Sequence, residues 1–412
     1  MRERLGTQRD NTGKSKVCNP VEMTGMPQRP RVLLVAGARP NFMKIAPIAA
    51  ELGRRQLECA LVHTGQHYDA SMSDTFFSDL GIPPVDYQLG VGSGSHSRQT
   101  ARVMESFEPV LETTRPDWVV VVGDINSTLA CALVVAKVRH QIGCRLAHVE
   151  AGLRSGDWAM PEEVNRVLTD RLSDLLLTPS PDAEPNLLAE GISRERIVFV
   201  GNVMIDTLRR MLPAARRLNV AESLEIRRPY VVCTLHRPSN VDTAEPLREI
   251  LSALGALTLD FDVVLPMHPR TRQRVRNFSL EPMLAALKIT EPLGYSMMLG
   301  LQDAAAAVIT DSGGMQEETT VLGVPCVTVR ESTERPITIT EGTNRLAPWP
   351  LAATTLLETV RRAIAERCGP GALRVPEGWD GRASERIVDA LFSAGAATHG
   401  ILPSAATVVS SR

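Results

Sequence analysis

The chain has 412 residues, too many for one compact core and enough for roughly two domains of ordinary size. Hydrophobic residues make up 43% and charged residues 22%, the balance of a soluble globular protein. A formal net charge of -2 gives no electrostatic basis for nucleic acid or an anionic membrane as partner, so any anionic ligand must be held by a local site.

The cysteines (Cys18, Cys59, Cys131, Cys144, Cys233, Cys326, Cys368) are scattered, odd in number and mostly set in apolar segments. Reduced core thiols of a cytoplasmic protein are expected. No C-x-x-C pair occurs, so neither structural zinc nor a redox motif is expected. Apolar runs such as residues 119–122 are too short to span a bilayer, and the polar N-terminal segment lacks a secretory apolar core.

Residues 1–30 are polar and aperiodic and are expected to be a disordered extension. Gly13-Lys14-Ser15 within them is not a phosphate loop, because Gln8 stands where the first glycine would be needed and no apolar strand precedes it. From Arg31 the chain alternates β-branched runs with amphipathic stretches, the signature of βα units that build a parallel sheet. Residues 31–37, 59–65, 117–124, 145–152, 174–180 and 197–202 read as the strands of one layer. GVGSGS at 90–95 reads as a mobile loop with no helix opening directly after it. Residues 207–228 are charged and helical without a strand and suit an interdomain connection. The pattern then restarts with strands at 230–238, 261–269, 287–292, 306–314 and 325–331, and residues 383–395 read as a helix followed by a frayed tail from Ala396. The expected fold is therefore α/β, with two doubly wound layers in tandem: an N-terminal domain over 31–206, a C-terminal domain over 207–380, a helix over 381–396 and a tail over 397–412.

Ligands of open parallel sheets bind beyond the carboxyl ends of the strands, and most chemistry-bearing residues fall there. The stretch 145–166 crowds His148, Glu150, Arg154, Asp157, Glu162, Glu163 and Arg166 into one strand exit and the helix after it. Charged residues of this kind cap helices as readily as they move protons. Arg39 and Lys44 bring two cations to the start of a helix, which is unfavourable without an anion to neutralise them. Asp124 ends an apolar strand. His236 and His268 end successive strands of the second half. Thr310-Asp311-Ser312-Gly313-Gly314 opens a helix where exposed amides suit a phosphate, and Glu317 or Glu318 follows at the spacing of a ribose ligand.

Taken together, GARPNFMK (37–44), TGQHYD (64–69), VGDINST (122–128), HVEAGLRS (148–155), MPEEVNR (160–166), TLHRPSN (234–240), TDSGGMQEE (310–318) and ERPITITEGTNRL (334–346) resemble the non-hydrolysing UDP-N-acetylglucosamine 2-epimerases. The match runs from residue 31 to about 345 in uninterrupted order. The resemblance implies a GT-B-like fold of two Rossmann-like domains with a UDP-sugar in the cleft between them, a homodimer, and no NAD or metal cofactor. It implies reversible C2 epimerisation of UDP-GlcNAc to UDP-ManNAc for an envelope polysaccharide. Position by position it puts Asp124, Glu150, Glu162 and His236 at the reacting sugar and diphosphate as acid and base candidates. Arg39, Lys44, His268, Ser312, Gly313, Gly314, Glu318 and Arg335 match substrate-binding positions.

Three departures mark a divergent branch. Asn41-Phe42 stands where many members carry Glu-Ala, and the link from Asp157 to Glu162 is short. Related branch members act on UDP-2,3-diacetamido-2,3-dideoxyglucuronate, which leaves the C3 and C6 substituents of the sugar open. In some bacterial members a second UDP-GlcNAc activates the enzyme; Gln66 and His67 match that region and Arg98-Gln99 fall beside it, but Tyr68 replaces the usual arginine. A GT-B glycosyltransferase and a non-catalytic nucleotide-sugar sensor are the rival readings, the second disfavoured by the complete acid and base set.

Overall fold

β1 (Val32–Ala36) is buried at every residue, as a strand covered by helices on both faces must be, and it forms the centre of the first layer. The computed structural model describes residues 31–66, 77, 80–367 and 375–396. The N-terminal extension, His67, Tyr68 and the 397–412 tail lie outside the described residues.

With β2 (Cys59–His63), β3 (Tyr87–Gln88), β4 (Trp118–Val122), β5 (Arg145–Val149), β6 (Leu175–Thr178) and β7 (Ile197–Phe199), β1 forms a parallel sheet in the order β3-β2-β1-β4-β5-β6-β7 among the described residues. The second layer comprises β8 (Tyr230–Thr234), β9 (Asp262–Pro266), β10 (Lys288–Thr290), β11 (Ala307–Thr310), β12 (Cys326–Thr328) and β13 (Asn344–Leu346), in the order β10-β9-β8-β11-β12-β13. Each sheet winds outward from its first strand and then reverses. The reversal lies between β1 and β4 in one layer and between β8 and β11 in the other, so each has one crevice at its carboxyl edge for a ligand.

Four sequence expectations are corrected or extended. The edge strands β3 and β13 were not foreseen, being two or three residues long with polar members. The 90–95 segment follows β3 and leads directly into a helix (His96–Thr114) with Ser95 at its N-cap. The first half of the expected interdomain connection is the packed helix Val203–Arg217, whose Val203, Met204, Leu208, Met211 and Ala215 join the core of the first layer. Its Asp206 accepts hydrogen bonds from the backbone N–H groups of Ala383 and Ser384, at 3.1 and 2.7 Å, and so caps the final helix, Ala383–Ala396. That helix crosses back to the first layer: Ile387, Val388 and Leu391 are buried there, and Trp118 Nε1 donates to the Leu391 carbonyl at 3.0 Å. The cysteines at 59, 131, 144, 233 and 326 are free thiols, four of them buried.

Candidate active site

In the first crevice, the turn after β1 runs straight into the helix Arg39–Arg54. Asn41 fixes this turn, its Oδ1 accepting from the Ala38 N–H at 3.1 Å while its Nδ2 donates to the Val122 carbonyl at 3.0 Å. The start of the helix is thereby tied to the end of β4, and Lys44, one turn on, is buried beside the strand-end loops. Its ammonium forms an ion pair with Glu150. Gly123 adopts φ +66°, which favours glycine, and a Cβ there would lie 2.9 Å from Lys44 Nζ and press on the ammonium. Burial pulls the Lys44 ammonium down to about 8, against the attraction of Asp124.

Asp124 receives Arg166 Nη2 at 2.6 Å and Nε at 3.0 Å. Burial opposes its ionisation, but Arg166, Lys44 and Arg335 together hold the carboxyl below its ordinary range. Arg166 is itself held by Glu163 at 2.7 Å, and Glu163 accepts the backbone N–H groups of Ser155 and Gly156 at 3.0 and 2.9 Å. Glu163 therefore fixes the loop between β5 and its helix. The side chain of Glu162, its neighbour in the first turn of the helix Pro161–Leu172, makes no hydrogen bond or ion pair with the described residues.

Glu150 follows β5 in the left-handed region, at φ +72°, a conformation that a side-chain-bearing residue seldom adopts outside constrained sites. Besides Lys44 it meets Arg335 Nη2 at 2.8 Å. Arg335 comes from the second layer and also pairs with Glu317 at 2.9 Å and Glu334 at 2.5 Å. Arg330 adds a second cation to Glu334 at 2.8 Å, and the surrounding guanidinium groups hold the Glu334 carboxyl far below its usual range despite burial. The two crevices thus face each other across a network of paired charges.

In the second crevice, His236 Nδ1 lies 2.7 Å from Asp311 Oδ1. Asp311 is fully buried and also accepts from the backbone N–H groups of His236 and Arg237, both at 2.9 Å, and from Asn240 Nδ2 at 3.1 Å. The carboxylate fixes the ring, whose side chain remains 44% exposed. The ring of His268 stands 5.9 Å from that of His236, with its Nδ1 capping the helix Pro269–Asn277 by accepting the Arg270 N–H at 3.2 Å. Ser312 is the N-cap of the helix Gly313–Leu322, and Gly313 and Gly314 are its first two residues. A Cβ on Gly313 would fall 2.6 Å from Arg335 Nη1, so the phosphate-type turn and the Arg335 network are in direct contact. Glu318 lies one turn further, buried, where Gln302 Nε2 donates to it at 2.9 Å and burial pushes its carboxyl up to about 7.

Of the remaining sequence candidates, Arg39 is exposed at the first position of its helix, and Arg98 is exposed near the start of its own. Gln66 and Gln99 are buried: Gln66 Oε1 accepts from the Ser127 backbone and hydroxyl, both at 2.8 Å, and Gln99 Nε2 donates to the Gln66 carbonyl at 2.9 Å. Both hold the neighbouring loops together. Sequence reasoning assigns no separate role to Arg166 or Asp311. Glu334 went unmarked, and only its proximity in sequence to Arg330 and Arg335 signals it.

A family model for UDP-N-acetylglucosamine 2-epimerase matches residues 50–392. The UDP-N-acetylglucosamine 2-epimerase of Methanocaldococcus jannaschii is 42% identical over 325 residues, covering 77% of this chain and 88% of that protein. A UDP-2,3-diacetamido-2,3-dideoxy-D-glucuronate 2-epimerase of Pseudomonas aeruginosa is 40% identical over 340 residues, covering 82% of this chain and 93% of that one. The crystal structure of the M. jannaschii UDP-GlcNAc 2-epimerase with UDP-GlcNAc and UDP superposes with a TM-score of 0.79 at 38% identity, covering 88% of this chain and 99% of that chain. No helix among the described residues is long and apolar enough to cross a membrane.

Proposed function

The chain belongs to the UDP-N-acetylglucosamine 2-epimerase family, isomerases of GT-B-like architecture, and on that footing we propose that it interconverts UDP-GlcNAc and UDP-ManNAc. The observation that carries this reading is the convergence of Lys44, Asp124 and Glu150 at one switch point with Arg335 and the Ser312-Gly313-Gly314 turn at the other.

An unactivated C2–H of a sugar is beyond the reach of a carboxylate. Departure of UDP places positive character on C1 and acidifies that bond, so a modest base suffices. The C2 proton passes to the base while the C1–O bond breaks and its electron pair leaves with UDP, giving a C1=C2 glycal. Reprotonation of C2 on the opposite face, with return of the diphosphate oxygen to C1, yields the epimer. Asp124, Glu150, Glu162 and His236 are the candidate acids and bases. Arg39, Lys44, Arg335 and the helix start at Ser312 supply positive potential for the diphosphate, His268 lines the same rim as a neutral ring, and Glu318 matches the position of the family's ribose ligand. His236, oriented by Asp311, suits contact with the leaving group from the second domain.

Incubation with UDP-GlcNAc in heavy water should place deuterium at C2 of both epimers. Epimerisation without solvent exchange would rule out the elimination route. The P. aeruginosa relative favours one alternative substrate, the 2,3-diacetamido uronate. A panel comparing UDP-GlcNAc with its 3-acetamido and uronate relatives separates the two by kcat/KM. We further propose a cytoplasmic homodimer that serves envelope polysaccharide synthesis, as the family resemblance implies.

A further inference from the structure

His148, at the end of β5, is fully buried and takes no part in the reaction outlined above. Its Nε2 lies 2.8 Å from the carbonyl oxygen of Gly123, and its Nδ1 lies 2.6 Å from Asp170 Oδ1. A carbonyl oxygen can only accept, so Nε2 must carry hydrogen. Asp170 is held as a carboxylate, with its Oδ2 receiving the Gly152 N–H at 3.1 Å and the Arg154 guanidinium at 2.8 Å. An ionised carboxylate also only accepts, so Nδ1 must carry hydrogen as well.

We propose that His148 is a buried imidazolium and a positioning residue for Asp124 and Glu150. One of its bonds holds the carbonyl immediately before Asp124. The other runs through Asp170 to the Gly152 N–H, two residues beyond Glu150. A single ion pair therefore sets the spacing of the two turns that carry these carboxylates. The Glu150 turn needs such support, since Glu150 carries a side chain in the left-handed region. A glutamine in place of His148 has its donors on one nitrogen and cannot serve both acceptors. The inference rests on the reading of Asp124 and Glu150 as proton-transfer residues.

The test has two readouts. In protein labelled with 15N-histidine, one ring should show two slowly exchanging N–H protons near neutral pH, absent from His148→Gln. In that variant kcat should fall about 10- to 100-fold, the scale of a misplacement on the order of 1 Å, while KM and UDP affinity stay within about twofold. A single N–H on the buried ring overturns the imidazolium. Unchanged kcat, or parallel loss of kcat and UDP affinity, overturns the positioning role. Asp170→Asn, which removes the charge but keeps an acceptor oxygen, carries the same kcat readout if His148→Gln does not fold. Failure of the parent reading shows elsewhere, as absent deuterium at C2 or normal turnover in Asp124→Asn and Glu150→Gln.

Discussion

The Arg335 guanidinium donates to the Glu150 carboxylate at 2.8 Å, joining residues 185 positions apart and the carboxyl ends of the two sheets. The bond places the catalytic candidates of the first layer against the phosphate-type turn of the second.

Removing the charge from either carboxylate tests the chemistry. Glu150→Gln and Asp124→Asn should each lower turnover by roughly 10²- to 10⁴-fold, the scale of lost general acid or base catalysis. Initial rates at saturating UDP-GlcNAc are the measurement, and near-normal rates would make the two residues structural.

Arg335→Ala should be costly to the fold itself, because it strips a buried cation from Glu317 and Glu334 as well as Glu150. A loss of about 3 kcal/mol or more is expected in urea denaturation. Arg335→Lys should recover only part of it, since an ammonium lacks the planar fork that reaches several carboxylates. If alanine costs under about 1 kcal/mol, the network is not what holds these groups.

Lys44 predicts an alkaline limit. Its ammonium titrates at about 8 in the folded chain against an ordinary 10.5, so the folded protein loses this proton first. Between those values the unfolded chain binds more protons at this position, and the contribution to stability rises with pH as the penalty of a buried charge is relieved. Anion binding runs the other way, and kcat/KM should decline above a pH of about 8. Lys44→Arg should shift that limb upward; an unmoved limb assigns it to another group.

Glu318 behaves in the opposite sense. Burial raises its carboxyl from 4.5 to about 7, so the folded chain retains a proton that the unfolded chain has lost, and stability falls as pH rises through this window. Glu318→Gln keeps an oxygen for the Gln302 amide and removes the buried charge. It should stabilise the ligand-free protein by on the order of 1–3 kcal/mol above pH 7, and by much less near pH 5. Equal melting-temperature shifts at the two pH values would contradict this.

Much of the fold is legible in the chain because buried parallel strands are short runs of β-branched and apolar residues punctuated by glycine, as in Val32–Ala36 and Trp118–Val122. β3 and β13 escape this reading. Tyr87–Gln88 and Asn344–Leu346 are edge segments with one neighbouring strand among the described residues, and neither is buried along its length. The helix Val203–Arg217 misleads for a related reason: its arginines decorate one face, while the buried face that locks it to the first layer shows only in three dimensions.

Strand-end position and local composition single out Lys44, Asp124, Glu150, His236 and the Ser312-Gly313-Gly314 turn, because side chains at strand exits and glycines at helix starts reflect short-range geometry. Pairing is different. Which of Glu162 and Glu163 faces Arg166, which aspartate orients His236, and which cation meets Glu150 depend on strand order and on how the two layers face each other. Those are long-range packing outcomes, and no window of sequence contains both Glu150 and Arg335. The sequence by itself determined the kinds of residue at the site and their places along the strands. Only the tertiary structure decided their partners, and with them their charge states, because desolvation and Coulomb attraction act through space.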